Sequence, residues 1–319
     1  MGRYVLGRVV QAVAVLWAAF TVTFAILYLL PSDPVQLQLG AAGMDTDKLT
    51  PQQLNAFEAK YGLDESLPRQ YVDHLVAALH GDFGSSIAQQ GTPVTDLLTQ
   101  RIGVTLQLTV AAAVLTVLIG GGLAFVATFV EWRPLRTFLT RLPAVGASFP
   151  QFFIALFLIQ FLSFKLGWLP ATGSVGLKSL VMPALTISVL TSSVLAQVLI
   201  KSFDETLQQS FVVTARAKGL SRGAVHLKHC LRNAALPAMT ILGVIVGLTV
   251  TSSIVVETIF TRQGIGQLAQ QSVLSQDVPV VLAIVTLAAA VFVTVNLVVD
   301  LLYPLLDPRI AHVRKVAHA

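Results

Sequence analysis

Six stretches of the chain contain no Asp, Glu, Lys or Arg, and each is long enough to cross a bilayer. They are Val9–Leu30, Ile102–Val130, Leu142–Phe164, Ser179–Ile200, Asn233–Val256 and Val278–Val299. A helix rises about 1.5 Å per residue, so about 20 apolar residues span the hydrocarbon core. Inside lipid every backbone amide must find its partner within the protein, and helices of this length achieve that within one segment. Composition agrees: the 319 residues are 55% hydrophobic and 12% charged, where a soluble domain carries about 25% charged residues. The expected architecture is an all-α membrane protein with six transmembrane helices. Arg3 and Arg8 precede the first run in the manner of a signal peptide. That run exceeds a usual h-region, however, and "LLPSDP" follows it where a small-residue cleavage site would stand. It is read as a retained span.

The net charge of +5 invites a nucleic-acid reading, but the basic residues are interrupted by the apolar runs. Their distribution speaks for topology instead. With the N-terminus inside, segments 1–8, 131–141, 201–232 and 300–319 hold 14 of the 21 Lys and Arg. The Lys/Arg bias sets orientation, so both termini are expected in the cytoplasm. Cys230 is the only cysteine, which excludes an internal disulfide.

Linear order suggests three parts: 1–101, a first helix with a small extracytoplasmic segment; 102–306, five further helices enclosing a loop over 201–235; and 307–319, a cytoplasmic tail. Within the extracytoplasmic segment, Pro68 suits a helix start and Gly81 a stop. Tyr71, Leu75 and Leu79, four apart, would share one face. This predicts a short amphipathic helix lying against the spans or against a partner. No ionisable residue falls within the six runs, which argues against a proton- or sodium-driven transporter. "IGGGLA" at 119–124 and "GVIVG" from Gly243 to Gly247 suggest close helix packing or a bend. Thr249, Thr251, Ser252 and Ser253 place hydroxyls in the fifth run. Such groups either bond back to their own helix or line a polar route. As a cluster they make the fifth span the first choice for a pathway wall, with Thr249, Ser252 and Ser253 as its candidates.

Several chemistries have no residues here. No G-x-x-x-x-G-K-[ST] occurs, so the chain has no phosphate-cradling loop of its own. There is no H-E-x-x-H, no paired C-x-x-C and no visible nucleophile or acid/base pair. His226, His229 and Cys230 stand at i, i+3 and i+4, a spacing that can hold a metal. They lie among Arg222, Lys228 and Arg232 with no fourth ligand, so no metal and no bound cofactor is expected. The work of such a chain is passage.

The loop "TARAKGLSRGAVHLKHCLRNAALP", Thr214 to Pro237, carries Arg216, Lys218, Arg222, Lys228 and Arg232 and no acid. Helix formers end at Gly219, a C-terminal stop, and Ser221 can cap a second helix. Ala224, Leu227, Leu231 and Ala235 recur at helical spacing as one apolar stripe. Pro237 bends or restarts the chain as it enters the fifth span. Basic residues alone would anchor the loop inside. The small residues Thr214, Ala215 and Ala217 before the glycine also suit a short helix pressed into another protein's groove. Anchoring and docking remain equally open on these residues alone.

"VTARAKG" followed by Leu236-Pro237 resembles the loop motif of permease subunits of ABC importers, in the form carried by the dipeptide, oligopeptide and nickel branch. "RVVQAVAVLWAAFTVTFAILYLLPSDP", "YGLDESLPRQYVDHLVAALHGDFGSSI", "VVETIFTRQGIGQL" and "NLVVDLLYPLLDPRI" extend the resemblance over nearly the whole chain. In one departure, Arg262-Gln263 precede Gly264-Ile265-Gly266 where relatives usually carry Trp-Pro ahead of Gly-Leu-Gly. The resemblance implies the type I ABC importer transmembrane fold in a bacterial inner membrane. It implies a transport subunit that is not itself an enzyme, paired with a second permease. It also implies two cytoplasmic ATPase subunits, separate or fused, that use ATP and Mg, and an outside binding protein. By resemblance Thr214, Ala215, Arg216, Ala217, Lys218, Gly219, Leu220 and Ser221 would form the coupling helix that contacts an ATPase. Dipeptides or short peptides are the expected cargo, with nickel or glutathione as alternatives. A membrane receptor or scaffold is the reading from another class.

Overall fold

A computed structural model describes residues 2–29, 50, 52, 65–89 and 91–306. The expected tail 307–319 and much of the extracytoplasmic segment lie outside the described residues. Described residues form helices and one isolated bridge, Ser85 with Pro93. The helices are α1 (Gly2–Leu29), α2 (Leu67–Leu79), α3 (Val94–Phe129), α4 (Arg133–Ser148), α5 (Gln151–Lys165), α6 (Lys178–Leu207) and α7 (Ser210–Ala217). Next, α8 runs from Arg222–Ala224 through a π turn, Val225–Cys230, into Leu231–Ile259. The last two are α9 (Ile265–Leu274) and α10 (Val278–Leu306).

Four straight helices are long and apolar enough to cross a bilayer: Val5–Tyr28 of α1, α3, α6, and Val278–Val299 of α10. Two bent pairs bring the number to six if each is one span. These are α4 with α5, bent by 98°, and the two parts of α8, bent by 57° between Met239 and Gly243. The bend in α8 follows Pro237, as expected of a residue that removes a backbone donor. The third run, Leu142–Phe164, is not the continuous helix expected. Phe149 and Pro150 are extended, with ψ of 130° and 137°, because proline disfavours the α conformation of the residue before it.

The described residues pack as two units, which cut across the linear division at 101/102. One comprises the described residues up to Thr105 together with Gln263–Val293. In it, Phe20, Phe24 and Tyr28 of α1 pack with Tyr71 and Leu75 of α2 and with Val278 and Leu282 of α10. Thr21 Oγ1 and Tyr71 Oη are 2.8 Å apart, and Tyr28 Oη lies 3.0 Å from His74 Nε2. The helix expected at Pro68 and stopped at Gly81 is present, with Gly81 at φ +80°, and it lies on its own chain. Its face differs from the expectation in one position. Leu79 is 78% exposed, and Ala78 packs in its stead. Eight residues along a helix put Leu79 about 80° from Tyr71, whereas seven put Ala78 within about 20°.

The same unit holds a buried carboxylate that the sequence did not single out. Asp277, 1% exposed, opens α10 and accepts from Ser86 Oγ at 2.5 Å and from the amides of Ile87 and Ala88 at 3.3 Å each. The turn before α3 is thereby tied to the start of α10. Asp277→Ala strands three donors, and a cost of about 3 kcal/mol is expected, with a smaller one for Asp277→Asn. Thermal loss of the monodisperse, detergent-solubilised subunit measures the difference.

The other unit comprises Leu106–Arg262 with the described residues from Thr294. At its centre is α6, with two thirds of its apolar window buried. It carries a stripe of small hydroxylated residues whose side chains donate to carbonyls of their own helix. Thr186 donates to Met182, Thr191 to Ile187 and Ser193 to Val189, so none leaves an unpaired hydroxyl in the packing. Thr191 also meets Thr116 of α3, oxygen to oxygen, at 2.6 Å. Small side chains on α6 let its neighbours approach closely. A Cβ on Gly120 of α3 would stand 2.8 Å from the Ser192 carbonyl, and one on Gly146 of α4 would stand 2.5 Å from Ser193 Oγ. The close packing expected of "IGGGLA" therefore resides in Gly120, at a π turn over Val117–Gly121. Gly121 and Gly122 face open space.

Candidate functional site

The loop between α6 and the membrane part of α8 folds as two short helices joined at Gly219-Leu220-Ser221, as its residues suggest. The end of α7 is closed by paired hydrogen bonds, Leu220 N to Ala215 O at 3.3 Å and Gly219 N to Arg216 O at 2.9 Å. This is a Schellman closure, and it requires the left-handed residue that Gly219 supplies at φ +80°. Ser221 Oγ then accepts from Ala224 N at 3.3 Å and caps the next helix.

The eight residues expected to form a coupling contact do not all face outward. Thr214, Arg216, Ala217, Lys218, Gly219, Leu220 and Ser221 are exposed, and so is Val213 before them. Ala215 is 7% exposed and packs inside its own chain with Val212, Phe203 and Leu199. It anchors the short helix from beneath. Arg216 and Lys218 stand at the carbonyl end of α7, where cations complement the helix dipole.

The apolar stripe expected at Ala224, Leu227, Leu231 and Ala235 is not the buried one. Leu227 and Leu231 are 55% and 41% exposed, while Val225, His226, Cys230, Ala234 and Ala238 are buried. The covered face runs through His226, Cys230, Ala234 and Ala238 at steps of four, beside the expected stripe, and a π turn covers Val225–Cys230. His226 and Cys230 are buried while His229 is exposed. Among the described residues no group of His, Cys, Asp or Glu is placed to hold a metal.

His226, 1% exposed, sits in an aromatic socket. Phe125 and Phe129 of α3 meet it edge-on at 5.6 and 5.4 Å between centroids, and Phe203 of α6 stacks on it at 5.8 Å. The Arg222 guanidinium lies 5.0 Å over Phe129 and pairs with Glu131. Arg136 pairs with Asp204 at 2.8 Å beside them. Such exposed pairs contribute at most about 1 kcal/mol each.

Thr249, Ser252 and Ser253, the candidate pathway residues, are all less than a tenth exposed. Thr249 donates to Ile245 O and Ser253 to Val250 O, both at 2.8 Å. Both hydroxyls thus bond back to their own helix. Thr251, whose hydroxyl bonds Gly247 O at 3.1 Å, is the exposed member of the group.

At the far end of α8, the departure at Arg262 has a structural counterpart. Arg262 is 1% exposed and Glu257 fully buried; burial pulls the Arg262 guanidinium below its usual range, and the Glu257 carboxylate opposes that. Arg262 Nη1 donates to Ser179 O at 3.1 Å and to Gly173 O at 3.3 Å. Gly173 N in turn donates to Phe260 O at 3.0 Å. The connection between α5 and α6 is thus fastened to the end of α8. A basic residue at 262 was visible in the sequence, but its burial was not.

A family model described as binding-protein-dependent transport system inner membrane component matches residues 116–312. A second, for the N-terminal part of such membrane components, matches residues 1–109. The chain is 36% identical over 315 residues to the glutathione transport system permease protein GsiC of Shigella flexneri serotype 5b, covering 98% of this chain and 100% of that one. The protein of the same name from Salmonella typhimurium strain LT2 is 36% identical over the same shares. That from Escherichia coli strain K12 is 35% identical, again over 98% and 100%. Among solved structures, an amino acid ABC transporter with histidines matches at TM-score 0.48 and 18% identity, over 67% of this chain and 94% of that chain.

Proposed function

The chain belongs to the family of inner-membrane components of binding-protein-dependent transport systems, and on that premise we propose that it passes a short peptide, glutathione among the candidates, into the cell. As a permease subunit of an ABC importer it supplies helices for passage and no hydrolytic chemistry. In the proposed assembly a second permease completes the pathway, two ATPase subunits bind the cytoplasmic side, and a binding protein delivers cargo outside. Both termini lie in the cytoplasm in this arrangement. ATP and Mg are used by the partners.

The observation that carries the reading is the elbow Thr214–Ser221. It is exposed and basic, closed by a left-handed glycine, and anchored from below by Ala215, on a chain that lacks any phosphate-binding loop. An ATPase that shifts this elbow moves α6 and α8, on which it is mounted. The name of the glutathione relatives supports a small peptide bearing a thiol, and their similarity over the whole length supports it further. The absence of ionisable residues from the apolar runs suits a zwitterionic cargo better than a cation.

Two measurements test this. Cells lacking the gene are expected to lose uptake of labelled glutathione or of a defined dipeptide, and the chain restores it. Uptake of both unchanged by the deletion overturns the cargo assignment. Gly219→Arg adds a bulky side chain to the exposed elbow at a position where no neighbouring atom obstructs it. The left-handed conformation costs about 1 kcal/mol, too little to unfold the subunit. The variant is expected in the membrane at normal level, with uptake reduced about tenfold or more, as loss of a docked contact of about 1.4 kcal/mol or more implies. Full uptake in this variant refutes docking through the elbow.

A further inference from the structure

We propose that His226 is a positioning residue, the peg through which movement of the cytoplasmic elbow reaches the inner ends of two membrane helices. This rests on the reading of Thr214–Ser221 as the ATPase contact. The elbow packs on α6 directly through Ala215, and His226 adds a contact that reaches α3 as well. His226 begins one turn after the Ser221 cap and fills a socket made by Phe125 and Phe129 of α3 and Phe203 of α6. Three rings from two membrane helices therefore hold one ring from the loop.

The contact geometry is specific. Phe125 and Phe129 stack on one another at 5.6 Å and stand at 82° and 84° to the imidazole plane. Phe203 lies nearly parallel to it, at 19°. A buried ring flanked by three others on two helices is held in place by both of them. A push on the loop is delivered to α3 and α6 together.

Histidine is an unusual choice for this peg. Backbone groups of Thr128 and Arg222 approach the ring nitrogens, and neither makes a well-aligned hydrogen bond. Arg222 and Arg216 are the charged groups that act on it, and both are cations. Arg222 is itself held over Phe129 and paired with Glu131, so it closes the socket. The aromatic contacts outnumber these poorly aligned polar approaches. The imidazole contributes the shape and planarity of the ring, which phenylalanine can reproduce and alanine cannot.

The test uses the complete transporter in proteoliposomes: this chain, its second permease, the ATPases and the binding protein. Uptake per ATP hydrolysed is the readout, together with crosslinking from Lys218→Cys to the ATPase. Cys230 is buried, so the introduced thiol is the accessible one in this chain. His226→Ala is expected to keep the crosslink and ATP hydrolysis while uptake per ATP falls about fivefold, the scale of a single coupling residue. His226→Phe is expected to restore the ratio. If His226→Ala does not assemble, Phe203→Leu, which keeps apolar filling but removes the stacked plane, carries the same expectation. An unchanged ratio with the crosslink present overturns the socket alone, as does a His226→Phe variant no better than alanine. A wild-type elbow that never crosslinks to the ATPase overturns the docking reading and the socket with it.

Discussion

Gly120→Leu is expected to prevent the subunit from reaching a stable folded state, while Gly121→Leu leaves it nearly unchanged. The two glycines are adjacent in "IGGGLA" but meet different surroundings. A Cβ at Gly120 would lie 2.8 Å from the Ser192 carbonyl oxygen and 3.2 Å from its Cα. Both atoms are backbone of α6, so no rotamer change relieves the clash, and the two helices must part. Overpacking of this kind costs about 3 kcal/mol or more. Parting them also breaks the meeting of Thr116 with Thr191 one turn away. At Gly121 there is nothing within 4 Å, and a better helix former is expected to alter stability by less than about 1 kcal/mol. Protein level in the membrane and thermal loss of the solubilised subunit decide this. Equal behaviour of the two variants would remove the close approach of α3 to α6 from the account of the fold.

The second large effect is expected at Arg262. Its guanidinium, the Glu257 carboxylate and the carbonyls of Gly173 and Ser179 are buried together. Removing one member of a buried charged set leaves the other charge uncompensated, at a cost of about 3–5 kcal/mol. Arg262→Met is therefore expected to destabilise the subunit severely and Glu257→Gln somewhat less. Glu257→Gln combined with Arg262→Met should recover a substantial part of the loss, because it removes both charges at once. Strictly additive losses in the double variant would mean the two side chains are not coupled. The knot also holds the α5–α6 connection against α8. In the importer reading that is the outer side, where cargo arrives, so the double variant separates stability from transport.

The six apolar runs were legible because a bilayer imposes one length and one composition on whatever crosses it. The elbow was legible too: Gly219 and Ser221 are residues whose conformational and hydrogen-bonding preferences act locally, within a few positions. What escaped were features set by tertiary contact. The burial of Ala215 and the exposure of Leu79 depend on which face a neighbouring helix covers. The stripe at Ala224–Ala235 failed because the neighbouring face, through His226, Cys230 and Ala234, is the one covered by other helices. Pro150 could have warned that Leu142–Phe164 breaks, but absence of charge alone does not distinguish a straight helix from a bent pair. Asp277, Arg262 and His226 share a different obscurity. Each is a polar residue with partners far along the chain, Ser86 for Asp277, Ser179 for Arg262 and Phe129 for His226, and only the folded chain brings them together.

The π turn between Ser221 and Leu231 carries a mechanical corollary. One surplus residue in a helix sets the azimuth of everything downstream, so deleting any single position there would rotate the rest of α8 by about 100° and draw it in by about 1.5 Å. The hydroxyls of Thr249 and Ser253 would swing out of their packing, and the bend after Met239 would point elsewhere. The segment between elbow and bilayer is consequently intolerant of changes in length even where it tolerates changes in side chain, much as a keyed shaft accepts wear but not a missing tooth.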